Sequence, residues 1–246
     1  MKNITVAESW SELNAWQLEE IVHLYLNLDD DNFKKSFDRM IFILFQKKKG
    51  FWSRLKLRSL LRMAPISELH PFGQFLLEQP KIHSFPEIKN LIKPADRLGD
   101  LSVKQFSFMD QFFNSWMDTK SENFLRALCA CIYRTDSNFD ELNLPKVAKC
   151  TDKISPKKRQ AIGFIYMSCY HHITEQFPVI WLKAKTTESE AKKPTKKDQY
   201  RPFSEIIINV AMSENQPLGN LHESNSTRIY EFLNVLTKIL IQQQQK

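Results

Sequence analysis

The stretch DDDNFKKSFDRMIFILFQKKKG, residues 29–50, decides the fold class. Its apolar residues Phe33, Phe37, Met40, Ile41, Leu44 and Phe45 recur at intervals of three and four. That is the period of a helix with a single apolar face, not the alternation of a half-buried strand. The acidic run Asp29–Asp31 suits the positive end of the helix dipole, and Lys47–Lys49 suit its negative end. Gly50 reads as the C-cap.

The same period continues on both sides. Asn14, with Gln17 three residues on, forms a capping-box pattern ahead of Leu18, Ile21, Val22, Tyr25 and Leu26. Residues 51–63 (FWSRLKLRSLLRM) read as a basic third helix stopped by Pro65. From 64 to 99, Pro65, Pro71, Pro80, Pro86 and Pro94 forbid a long helix, although His70–Glu78 has room for about two turns. This connector is expected to pack on the core through Phe72, Phe75, Leu76, Leu77, Ile82 and Phe85. Ser102 caps a helix over 102–118 with Phe106, Met109, Phe112, Phe113 and Trp116 inward. Ser121 opens another over 121–134, with Phe124, Leu125, Leu128 and Ile132 inward. Ser155 followed by Pro156 opens a long helix over 156–176. Two more helices, over 203–214 and 224–241, flank a turn at Asn215–Gly219. The sequence thus predicts an all-α, multi-helix globular domain with a proline-rich irregular connector and a C-terminal helical pair. Its domains are 1–183 as the main body, 184–201 as a flexible polar linker (AKTTESEAKKPTKKDQYR), and 202–246 as the helical pair. No internal repeat is visible in the sequence.

Composition bounds the function. With 42% hydrophobic residues and 18 phenylalanines the chain can bury a core, so it is not a disordered protein. Its five glycines, Gly50, Gly73, Gly99, Gly163 and Gly219, are scattered. A phosphate-cradling loop needs them clustered, so the P-loop, the dinucleotide fingerprint and the nucleophile elbow are all missing. The expectation is a protein that is not an enzyme and needs no cofactor. Four cysteines in a chain of this length are not a disulfide framework and point to a reducing cytoplasm. The first ten residues, MKNITVAESW, lack a signal-peptide core. The longest apolar run, Met40–Phe45, is far below the roughly 20 residues a membrane span needs.

The net charge of +7 is concentrated. Lys47–Arg62 holds seven Lys or Arg and no acid. Arg54, Arg58 and Arg62 fall on one helical face, with Trp52 as an aromatic anchor for an acidic protein or a phosphate. The plainer alternative is a solvated face whose Leu57, Leu60 and Leu61 pack inward. A second cluster runs through Lys146, Lys149, Lys153, Lys157, Lys158 and Arg159, interrupted only by Asp152. Lys157, Lys158 and Arg159 lie at a helix N-terminus, where cations are disfavoured, and this hints at an anionic partner. Ordinary surface lysines are the alternative. Trp52, Arg54, Arg58, Arg62, Lys157, Lys158 and Arg159 are therefore the candidate partner-binding residues. Cys169 and His172 share a helical face beside His171, but no second Cys/His pair at zinc spacing accompanies them. His222 and Cys150 would have to be recruited by the fold, so no metal is expected. A cysteine nucleophile served by His171 or His172 would need a spatial arrangement that spacing does not show. Trp10 and Trp16, if both buried, would each cost about 3–5 kcal/mol on truncation to Ala.

Two sets of residues resemble a family. ESWSEL (8–13) followed by WQLEE (16–20) is similar to the opening of tail-region proteins of phages and prophages of the Bacteroidota. FSEIIINVA (203–211), PLGNL (217–221) and YEFL (230–233) resemble the C-terminal helical pair of phage tail assembly chaperones. ALCACIYR (127–134) before a loop, and Phe177-Pro178 after a long helix, resemble their middle region. The resemblance implies a non-catalytic helical adaptor of phage or prophage tail morphogenesis in the cytoplasm of a bacterial host, binding the tape measure protein and tail tube subunits. The alternatives are a nucleic-acid-associated accessory protein of a mobile element, with the two basic clusters as its phosphate surface, and a structural virion subunit of the tail or connector.

Overall fold

A computed structural model describes residues 6–46, 48–181, 202–213 and 216–245. Its α-helices are α1 (Ala15–Tyr25), α2 (Phe33–Leu44), α3 (Phe51–Met63), α4 (Ile66–Leu69), α5 (Val103–Thr119), α6 (Glu122–Ile132), α7 (Leu144–Thr151), α8 (Pro156–Gln176), α9 (Pro178–Trp181), α10 (Phe203–Ala211), α11 (Leu221–Ser226) and α12 (Ile229–Gln244). Among the described residues extended pairing is limited to two isolated antiparallel bridges, Ile92 with Arg134 and Ser102 with Arg228. The protein is all-α, and no helix of the described residues is long and apolar enough to cross a membrane. The segment read as a linker, 184–201, lies outside the described residues, as do Lys47 and Asn215.

The chain forms two compact units, each discontinuous in sequence. Unit 1 comprises Met1–Pro86 and Asp152–Cys169; unit 2 comprises Glu87–Thr151 and Tyr170–Lys246. Helix α8 passes from one to the other between Cys169 and Tyr170.

Unit 1 begins with a short 3-10 turn, Trp10–Glu12, and the helical hairpin α1–α2. Asn14 and Gln17 complete the expected capping box. The Gln17 amide also does something spacing alone does not reveal. Buried against the end of α2, its Nε2 donates to the carbonyls of Leu44 (2.9 Å), Gln46 (3.0 Å) and Ile43 (3.3 Å). The last carbonyls of a helix have no partner within it, so a side chain of α1 ends α2. Gly50 is not that C-cap: α2 ends at Leu44 with Phe45 as its C-cap, and Gly50, in extended backbone, precedes α3. Residues 156–169 complete the unit from far along the chain. Trp10 lies against Phe164 (ring centroids 4.7 Å apart), and Ser168 Oγ accepts from Ile82 N–H (3.0 Å) and donates to Pro80 O (2.6 Å). The connector folds as α4 and a 3-10 stretch, His70–Leu77. It buries Leu76, Ile82 and Phe85, whereas Phe72 and Leu77 face solvent, contrary to expectation. A 3-10 helix eclipses residues three apart, so it presents a narrower inward face than the helical spacing assumed.

Unit 2 repeats the hairpin. Ser102 caps α5 by accepting from Gln105 N–H (3.2 Å), and buried Gln105 donates from Nε2 to the carbonyls of Cys131 (2.8 Å) and Ile132 (3.3 Å) at the end of α6. Gln17 and Gln105 are 88 residues apart, and so are the carbonyls they reach, Ile43 with Cys131 and Leu44 with Ile132. The same interval links buried Trp10 with Leu98, Leu13 with Leu101, Ile21 with Met109, Phe37 with Leu125, Met40 with Leu128 and Ile41 with Cys129. An internal repeat that few shared residue identities mark is thus present in burial and capping. Helix α5 is longer than α1, and the turn that follows it is correspondingly shorter, which preserves the interval. The unit is completed by the C-terminal helices. Phe106 of α5 contacts Phe203 of α10 (4.9 Å), Phe203 contacts Phe232 of α12 (5.7 Å), and the backbone joins Ile229 N–H to Leu101 O (2.9 Å). Helix α11, which periodicity does not predict, is capped by a second full capping box, Asn220 with Glu223.

Candidate functional site: the basic aromatic helix

Helix α3 forms over 51–63 as the sequence predicts, but its faces differ from expectation. Leu57 is buried, whereas Leu60 and Leu61 are only half-buried and Leu55 is exposed. Phe51 is 68% and Trp52 76% exposed, their rings meeting edge to face with centroids 5.9 Å apart. Arg54, Arg58 and Arg62 are exposed. At 3.6 residues per turn, Phe51, Leu55, Arg58 and Arg62 line one narrow outward stripe opposite Leu57, with Trp52 beside it. The stripe is apolar and aromatic at its first turn and cationic at its last two.

The helix that occupies the same place in the repeat behaves differently. In unit 2, α7 follows the hairpin and buries Val147 and Thr151. In unit 1, α3 follows the hairpin, and of its described side chains Leu57 is the one that is buried. Adjacent large aromatics left in solvent on a cationic helix mark an interaction surface better than isolated exposed apolar residues do.

The second cluster separates. Lys146 and Lys149 belong to unit 2, and Lys153, Lys157, Lys158 and Arg159 to unit 1. The anion that the cations at the start of α8 call for is internal: Lys157 Nζ pairs with Glu20 (2.6 Å). Arg159 is 3% exposed and donates to the carbonyls of Ile154 (2.7 Å) and Asp152 (3.4 Å). Lys158 lies beside them, half-buried, its backbone N–H donated to Ser155 Oγ (3.1 Å), the expected N-cap. Lys157 and Arg159 are therefore engaged within unit 1, and the outward-facing members of the candidate set are Trp52, Arg54, Arg58 and Arg62.

No group of three or more His, Cys, Asp or Glu side chains among the described residues is placed to hold a metal ion. Cys169 is buried, with Sγ 3.9 Å from the carbonyl of His83; His171 and His172 are half-buried on α8, Cys150 is half-buried and His222 exposed. Burial pushes the Cys131 thiol up to about 12. Burial, then the charge of Asp110, pushes the Tyr170 phenol up to about 12. Both shifts disfavour the anion, the opposite of what activates a nucleophile.

Unit 2 also holds a polar cleft that gave no sign in the sequence. Lys104, Arg134 and Arg228, which line it, come from three distant segments, and no motif connects them. No family model, curated protein or solved structure matches the chain.

Proposed function

We propose that this chain is a non-catalytic helical adaptor that docks onto an acidic partner protein through the outward stripe of α3. The exposure of Phe51 and Trp52 beside Arg54, Arg58 and Arg62 supports this reading. Aromatic and arginine side chains supply most hot spots of protein interfaces, and cations with no acidic residue on the same helix favour an acidic counterpart. The sequence resemblance supplies the setting, tail morphogenesis, with the tape measure protein and tail tube subunits as partners.

The test is capture of partners by the tagged full chain from its native host, with and without nuclease treatment, read by mass spectrometry. Wild-type protein is expected to retain the same acidic proteins in both halves. Trp52→Ala should weaken capture about 10–100-fold, roughly 1.4–2.8 kcal/mol. Its melting temperature should stay unchanged, because the ring packs on no core. Loss of every partner on nuclease treatment would move the assignment to a nucleic-acid accessory role. Recovery of the chain in purified particles would move it to a virion subunit.

A further inference from the structure

The geometry points to a second, independent site: the polar cleft of unit 2 binds the phosphate group of a small phosphorylated molecule, with Arg228 and Arg134 on its wall. The cleft encloses about 640 Å³, within the range that takes a small ligand. Arg134 stands just past the end of α6, its backbone fixed by paired hydrogen bonds with Ile92 (2.7 and 3.0 Å). Its side chain is 6% exposed. One guanidinium nitrogen pairs with the Asp100 carboxylate, and another donates to Ser137 O (3.3 Å). Its Nε is buried with no hydrogen-bond partner among the described residues. A buried N–H of a charged group left unmatched is costly, and negative charge held in the cleft beside the guanidinium would offset part of that cost.

The surrounding charge fits an oxyanion. Lys104 and Arg228 share the wall with Arg134, and among the described residues that line it Asp100 is the one carboxylate. Lys104 is shared with Glu141, but Arg228 is exposed and pairs with no carboxylate among the described residues. Arg228 reaches this wall because its backbone bridges to Ser102 at the start of α5. Arg228 offers a planar guanidinium fork that matches phosphate oxygens bidentately, and Arg134, held by Asp100 and Ser137 O, adds a second positive charge to the same wall. The hairpin itself does not need the arginine: the residue at the same place in unit 1, 88 positions earlier, is Gln46. The cation is a departure confined to the copy that carries the cleft.

The test is isothermal titration of the full chain with inorganic phosphate and with glycerol 3-phosphate, against sodium chloride at matched ionic strength. Saturable one-to-one binding of both phosphates is expected, with no response to chloride. Arg228→Gln should weaken it at least 10-fold with an unchanged melting temperature, and Trp52→Ala should leave it unaltered, which separates this site from α3. Equal binding by wild type and Arg228→Gln, or a response to chloride equal to that to phosphate, would overturn the assignment. Tight binding of a duplex oligonucleotide with none of either small phosphate would also overturn it.

Discussion

Trp10 and Trp16 lie six positions apart and sit in different surroundings. Trp10 is 3% exposed, donates from Nε1 to Phe75 O (3.0 Å), and meets Tyr25 and Phe75 edge to face. Trp16 is half-buried, and its Nε1 has no partner among the described residues. Trp10→Ala should therefore cost about 3–5 kcal/mol, by a lost hydrogen bond and a cavity. Trp16→Ala should cost about 1–2 kcal/mol. Urea denaturation followed by circular dichroism checks the order of the two, and equal midpoints would contradict it. Residue identity alone did not distinguish them, because both tryptophans sit among polar neighbours in the sequence. The same limit applies to Arg159. Its spacing reads as a surface cation, and the carbonyls it caps come from a loop whose path spacing does not show.

At the scale of elements, helix starts were legible because their chemistry is local. Asn14, Ser102 and Ser155 cap where they are expected to, since a side chain and an N–H three residues on need nothing else. Helix ends were less legible. Gly50 reads in the sequence as a stop for α2, whereas the stop is a glutamine of the preceding helix. The far end of α6 carries a consequence for pH. Burial raises the Cys131 thiol from 9.0 to about 12. Burial, then the neighbouring Cys129, raises the Tyr133 phenol above its usual 10.0. Both groups are held neutral in the fold, so their folded pKa values exceed the unfolded ones. The stability they preserve is intact below about pH 9 and is lost as pH rises towards 12. Denaturation midpoints of the wild type should fall across that window. Those of a Cys131→Ala, Tyr133→Phe double variant should fall less steeply, and parallel curves would refute the assignment.

At the scale of the whole molecule, unit 1 is incomplete without residues that follow it by more than sixty positions. Ala161, Ile162, Phe164 and Ile165 are all buried, and His23 meets Gln160 at 2.8 Å. A fragment of residues 1–86 should therefore show narrow amide dispersion by NMR and no cooperative melt. Joining residues 152–176 to it through a flexible linker should restore both. A sharp transition in 1–86 alone would show that the distant segment is dispensable. Such long-range completion has no local signature, which is why the sequence yields the helices in order and not the units they form. The repeat leaves little trace in residue identities for a related reason. Of the positions 88 apart, Leu13 with Leu101 and Gln17 with Gln105 keep their identities, while Trp10 with Leu98 and Ile41 with Cys129 keep only burial.

A hairpin present twice gives mutation two places to act. Where both copies hold glutamine, the amide must donate to carbonyls, and a single-base change from a glutamine codon to a glutamate codon would aim a carboxylate at them instead. Elsewhere the copies differ. One carries an outward-facing aromatic helix after its hairpin, and the other buries Val147 and Thr151 of the helix in that place and has arginine where its twin has glutamine. A hairpin repeated within one chain fixes the positions that bury and cap it and leaves the surface around each copy open to differ.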